Sequence, residues 1–181
     1  MSRAYFFGNM YLSSIQQGIQ ALHATTEMYN KYTGHESVQW TMLNDWAQNH
    51  KTVILLNAGY GQNIDVLNAF FEGIPRPGMT RLREVYDNYS PYPFAVFNES
   101  DEALGGAATS FGVILPAKIY NGASAMRNLN KLRRDDQRRL DFEFLSRLTV
   151  DLDDGIGPVD VTYNKFEIEL MERLGTFRLA Q

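Results

Sequence analysis

Hydrophobic positions along the chain fall into two rhythms, short continuous runs that mark strands and three-to-four-residue spacing that marks helices. Ala4 to Phe7, continuing to Met10, is an apolar run of strand length. In the stretch that follows, Gln16, Gln20, His23 and Glu27 recur at helical spacing and share one stripe, while Ile15, Ile19 and Leu22 share the neighbouring one. Ser13 or Ser14 can cap this helix, and Thr33-Gly34 ends it. Glu36 to Gln48 reads as a second helix with Val38, Met42 and Asp45/Trp46 on its packing side, widened by Trp40 and Leu43. Thr52 to Leu56 is a β-branched and aliphatic run bounded by turn residues, which predicts a strand buried on both faces. Gln62 to Glu72 predicts a third helix, capped by Asn63 and packed through Val66, Leu67, Phe70 and Phe71.

Ile74 to Ser90 contains Pro75, Pro77 and Gly78 and reads as a long insertion, a lid or a contact loop. Tyr92 to Phe97 predicts a third strand, and Thr109 to Leu115 a fourth that Pro116 stops, with the acidic loop Asn98 to Ala108 between them. Asn121 to Leu148 then reads as a long charged helical stretch. Asp151 to Pro158 reads as a loop, Val159 to Tyr163 as a short strand and Lys165 to Leu174 as a last helix. The expected fold is α/β, a three-layer sandwich with a small mixed sheet of about four strands over residues 1–117. Residues 118–181 are expected to form a helical C-terminal extension packed on it.

Composition removes several chemistries. With no cysteine, disulfides, thiol catalysis and Cys-ligated metals are excluded. His23, His35 and His50 are not at metal-ligand spacing, so no metal is expected, and no cofactor either. No apolar run is long enough to span a membrane and no leader pattern opens the chain, so a cytoplasmic protein is the simplest expectation. The net charge of −4 argues against broad nucleic-acid binding, but residues 118–150 hold eight basic side chains against four acidic ones. Within them, Lys131 to Arg139 is either a solvated helix with internal ion pairs or, through Arg133 and Arg134, a contact for phosphate or an acidic partner.

Other motifs carry less. Asp151-Leu152-Asp153-Asp154-Gly155 lacks the alternation and closing Glu of a calcium loop and reads as an acidic turn. Gly59-Tyr60-Gly61 sits between a strand and a helix, where phosphates are cradled, but has neither a third Gly nor a Lys-Ser/Thr. Ser124 in Gly122-Ala123-Ser124-Ala125-Met126 lacks the second Gly of a nucleophile elbow. His23 is the best single candidate for proton transfer, since its unperturbed pKa lies near neutrality and Glu99 could tune it. The bland alternative is a helix histidine satisfied by a backbone carbonyl.

Gln20-Ala21-Leu22-His23-Ala24, placed on a helix after a strand and a polar turn, resembles the Q-x-x-H-A motif of type II peptidyl-tRNA hydrolases. Trp46 to Leu56 and Tyr92 to Pro116 resemble that family's second helix and strand and its final hairpin, so the resemblance covers roughly residues 4–116. It implies an ester hydrolase of the peptidyl-tRNA hydrolase type, with Gln20, His23, Glu99 and Thr109 as its catalytic set. By the same resemblance, tRNA or a nucleotide-like ligand would be the partner, and a homodimer paired through helices would be the assembly. Gln16, Asp101, Arg133 and Arg134 are the further ligand-contact candidates. The family has Lys where this chain has Gln16, and a neutral amide offers hydrogen bonds without the charge that stabilises an ester's transition state. The resulting expectation is a divergent member that binds an RNA or nucleotide-like ligand with altered or lost chemistry. The rival is a non-enzymatic interaction protein, of viral or mobile-element type, that binds a protein partner.

Overall fold

The computed structural model describes residues 1–74, 90–132 and 145–179. They form two compact units. One comprises Ser2–Ile114 with the returning strand Arg178–Leu179, and the other Met1 with Leu115–Phe177.

The first unit is built on a mixed sheet of strands β1 (Ser2–Asn9), β2 (Val53–Gly59), β3 (Phe94–Asn98) and β4 (Ala108–Pro116), in the order β3-β4-β1-β2. A two-residue strand, Arg178–Leu179, extends the β2 edge. β1 and β2 run parallel, and β3 and β4 antiparallel. Parallel neighbours need a crossover, which α1 (Ser14–Tyr32) and α2 (Val38–Asp45) supply. α2 passes into a π-helical turn, Trp46–His50, before β2. α3 (Gly61–Phe71) follows β2 and lies on the opposite face, so the unit has three layers.

Side-chain alternation along the strands fills both interfaces. Ala4 and Phe6 of β1, Ala95 of β3 and Ile114 of β4 pack with Ala21, Ala24 and Met28 of α1 and with Leu43 and Trp46. On the other face the Phe71 ring of α3 meets Phe94 and Phe111, each at 5.1 Å between centroids, and Phe7 packs on Phe111. Gly112 leaves room for the neighbouring Phe6 ring of β1 and the Met28 side chain of α1, since a Cβ there would stand 2.6 Å from the ring and 3.0 Å from the Met28 methyl.

Several expectations are corrected. Val38 is exposed, because α2 buries Leu43 and passes its packing to Trp46, whose indole N–H donates to the Thr52 carbonyl. β2 is not buried along its whole length. Among the described residues its neighbour beyond β1 is the two-residue strand, paired at Leu56 and Asn57, and Val53 is left half-exposed. Asn63 does not cap α3, since its amide donates to the Ala58 carbonyl instead. The helical stretch does not run on to Leu148. After α5 (Ala117–Leu132), Arg147 and Leu148 already belong to β5 (Arg147–Asp151), which pairs antiparallel with β6 (Pro158–Thr162). Among the described residues the C-terminal unit holds α5, this hairpin, whose second strand falls on the strand expected at Val159 to Tyr163, and a last helix, α6 (Lys165–Leu174). β5 alternates buried and exposed, with Leu148 and Val150 inward, a period that a helix cannot satisfy. Residues 75–89, with the lid or contact-loop reading, and Arg133 and Arg134, with the phosphate-contact reading, lie outside the described residues. No helix among the described residues is long and apolar enough to cross a membrane.

Candidate functional site

The site region starts where β1 ends. Ser13 caps α1, its hydroxyl accepting from the Gln16 amide, while the Gln16 side-chain oxygen accepts from the Ser13 N–H at 2.9 Å. This reciprocal capping box satisfies two of the donors that a helix N-terminus leaves open. The residue at the family's Lys position is thus engaged in starting the helix.

Two turns on, α1 turns polar side chains toward the sheet. Gln17 and Gln20 are buried along with Ala21 and Ala24, and Ile15, Ile19 and Leu22 stay exposed. Gly8 of β1 makes room for Gln17, since a Cβ there would come within 2.9 Å of its side-chain oxygen. Gln20 donates to the Glu99 carboxylate at 2.6 Å and accepts from the Thr109 hydroxyl at 3.2 Å. A β-bulge makes the second contact. Phe97 pairs with Ser110 but Asn98 pairs with Ala108, so Thr109 is the extra residue on β4. The extra residue breaks the period-2 alternation and re-aims the Thr109 hydroxyl toward α1.

Gln20, Glu99 and Thr109 are therefore brought together, from α1, the end of β3 and the start of β4. His23 is not joined to them by a hydrogen bond among the described residues. Its ring is exposed and lies flat on Phe97, 4.5 Å between centroids and 16° between planes. Among the described residues its imidazole makes no hydrogen bond to Glu99 or to a backbone carbonyl. Asp101 opens the short helix α4 (Asp101–Leu104), with a carboxylate oxygen 2.8 Å from where a Cβ of Gly106 would stand, inside its own loop. Among the described residues no three His, Asp or Glu side chains gather as a metal site. Two aspartates of the Asp151 turn serve the turn itself, Asp151 and Asp154 accepting the N–H groups of Asp153 and Ile156, while the Asp153 carboxylate accepts from the Tyr120 hydroxyl.

Beside this linkage lies an open crevice of about 820 Å³. Asn9, Tyr11 and Gln16 line one side, Tyr60 and Gln62 the other, and Thr109 closes it toward β4. Its place follows from topology. The chain leaves β1 for a helix on one face of the sheet and leaves β2 for a helix on the other, and the diverging loops open a gap at the strands' C-terminal ends. Gly59 takes the left-handed turn (φ 78°) and Gly61 lets α3 start against β4, a Cβ there standing 3.1 Å from the Ala108 carbonyl. Tyr60, between them, is the N-cap of α3 but supplies no side-chain cap, so first-turn amides of α3 have no capping side chain where Gly61 and Gln62 border the crevice. The rings of Tyr11 and Tyr60, both more than half exposed, border it and pack against each other, 5.6 Å between centroids and tilted by 57°. Among the described residues no Lys or Arg lines it, and Asp65 is the one charged side chain there. Asn9, Tyr11 and Gln62 were not among the residues singled out from sequence, and Tyr60 was read only within Gly59-Tyr60-Gly61; their signal was position, just after two predicted strands. No protein-family model and no curated protein matches the chain.

Proposed function

We propose that this chain is a divergent peptidyl-tRNA-hydrolase-like protein that holds an RNA or nucleotide-like ligand in the crevice between the β1–α1 and β2–α3 loops and does not cleave it. The single observation that supports this reading is the crevice itself: a gap at the C-terminal ends of parallel strands, flanked by two exposed tyrosine rings and by neutral amide side chains. Aromatic faces accept any base by stacking, and amides supply the donors and acceptors that base and ribose edges need. Among the described residues the lining offers amides and tyrosines and no cation, which suits recognition of base and sugar edges.

Loss of the ester chemistry follows from how the polar groups are spent. Gln20 and Thr109 are buried and bonded to each other, Gln16 closes a helix cap, and His23 is stacked on Phe97. A protein of this kind binds a short single-stranded RNA saturably and releases no peptide from peptidyl-tRNA above the uncatalysed rate. Turnover that disappears in His23→Ala would instead establish the hydrolase. The rival reading, a scaffold for a protein partner, has its own specific observation, the exposed apolar stripe of α1.

A further inference from the structure

Asp65 is the one carboxylate that borders the crevice among the described residues. It stands on α3 four residues after Gly61 and three after Gln62, so all three share the face that lines the crevice. Helical side chains lean toward the helix N-terminus, and Gly61 has no side chain to cover the turn that Asp65 leans over. Among the described residues the exposed carboxylate has no hydrogen bond and no ion pair. It also lies beyond the first turn of α3, where a helix N-terminus favours an acid. The fold leaves this group unspent.

Two amides of the crevice are spent on their oxygen side. The Asn9 side-chain oxygen accepts from the Tyr11 N–H at 3.1 Å, and the Gln16 oxygen accepts from the Ser13 N–H. What both turn to a ligand is therefore an NH2 donor. The Asn9 amide nitrogen lies 3.6 Å from where a Cβ of Gly61 would stand, so this donor and the Asp65 acceptor flank the same gap at Gly61. An ionised carboxylate only accepts, through two oxygens side by side. The ligand edge that matches the pair carries two adjacent donors next to an acceptor.

We propose that Asp65 makes the crevice selective for guanine, a proposal that rests on the reading of the crevice as a base-binding site. The carboxylate takes the N1–H and 2-amino groups, the Asn9 amide donates to O6, and the base lies on an exposed tyrosine face. Of the four RNA bases, guanine alone has two donors side by side on its Watson–Crick edge. Adenine and cytosine set a lone pair beside their amino group, and uracil sets its one N–H between two oxygens. Each of these makes one bond fewer to Asp65 and turns a lone pair toward its charge, so the site repels as well as selects.

Titration of fluorescein-labelled heptauridines whose central residue is guanosine, inosine or adenosine tests it, with wild type and Asp65→Asn. The substitution keeps the shape of the side chain and breaks no contact among the described residues, so the melting temperature should not change. Wild type is expected to bind the guanosine oligomer about tenfold more tightly than the adenosine one, as a bidentate pair discriminates between bases. Inosine, which lacks the 2-amino group, should fall between them. In Asp65→Asn one oxygen becomes an NH2 that faces a guanine donor, so the preference should shrink to about threefold or less, chiefly through weaker binding of the guanosine oligomer. Equal wild-type affinity for the three, or a guanosine preference that Asp65→Asn keeps, overturns the proposal while the base-binding reading stands. A substitution that weakens all three equally puts the carboxylate on the ribose they share and overturns the proposal too. A wild type that binds none of them overturns both.

Discussion

The Gln20 amide donates to the Glu99 carboxylate at 2.6 Å, joining the second turn of α1 to the end of β3 across 79 positions of sequence. That amide is what keeps the contact attractive. Gln20→Glu places a second carboxylate against the first, and burial limits how far water can screen the pair. The variant should lose about 1–3 kcal/mol at neutral pH and recover much of it near pH 4, where one carboxyl of the pair holds a proton. Thermal melts at both pH values check this; an equal loss at the two would mean that like-charge repulsion is not the cause.

The capping box separates a helix-starting role for Gln16 from a catalytic one. Ser13→Ala removes the cap oxygen and should cost about 1 kcal/mol in urea denaturation. Gln16→Lys restores the residue type of the resembled family but forfeits the acceptor for the Ser13 N–H, so it should lose about 0.5–1.5 kcal/mol. The same variant should release no peptide from peptidyl-tRNA, because Gln20 and Thr109 stay bonded to each other. Release by Gln16→Lys alone would show that the missing Lys was the whole obstacle.

Burial pushes the Tyr32 phenol up to about 12, its hydroxyl lying between the Phe94 carbonyl and the Phe94 N–H at the start of β3. Between pH 10 and 12 the unfolded chain has released this proton and the folded chain keeps it, so stability is intact below pH 10 and falls as pH rises through that window. Tyr32→Phe removes this contribution, and its stability should decline less steeply over the same window in parallel denaturation series. An identical slope would place the alkaline sensitivity elsewhere.

The parts of the fold that were legible in the sequence are those fixed by local patterns. The β1 and β4 runs, the Ser13 cap and the helix Lys165–Leu174 needed only period, capping chemistry and stop residues. Which face of α1 turns inward was not legible, because Gln17 is buried only where Gly8 on a strand gives it room. The Thr109 bulge was equally hidden, since one extra residue in a strand leaves no mark on its apolar run until the opposite strand is in place. Gln20, Glu99 and Thr109 could be named from motif positions, but the crevice depends on two loops diverging to opposite faces, which is a property of topology. Arg147 and Leu148 were read as helix because the charged stretch before them masks the alternation that begins there.

The account rests most heavily on the tyrosine-flanked crevice, and an equilibrium titration of fluorescein-labelled single-stranded RNA with wild type, Tyr11→Ala and Tyr60→Ala tests it most directly. Base stacking on an aromatic side chain is worth about 1–3 kcal/mol, so each substitution should weaken binding about tenfold or more, with little change in fold since both rings are largely exposed. With no Lys or Arg among the described residues of the lining, the wild-type affinity should also fall only slightly as salt is raised. Saturable binding that both substitutions impair is the predicted result. Absence of saturable binding by the wild type, or variants that bind as tightly as it does, would contradict the account.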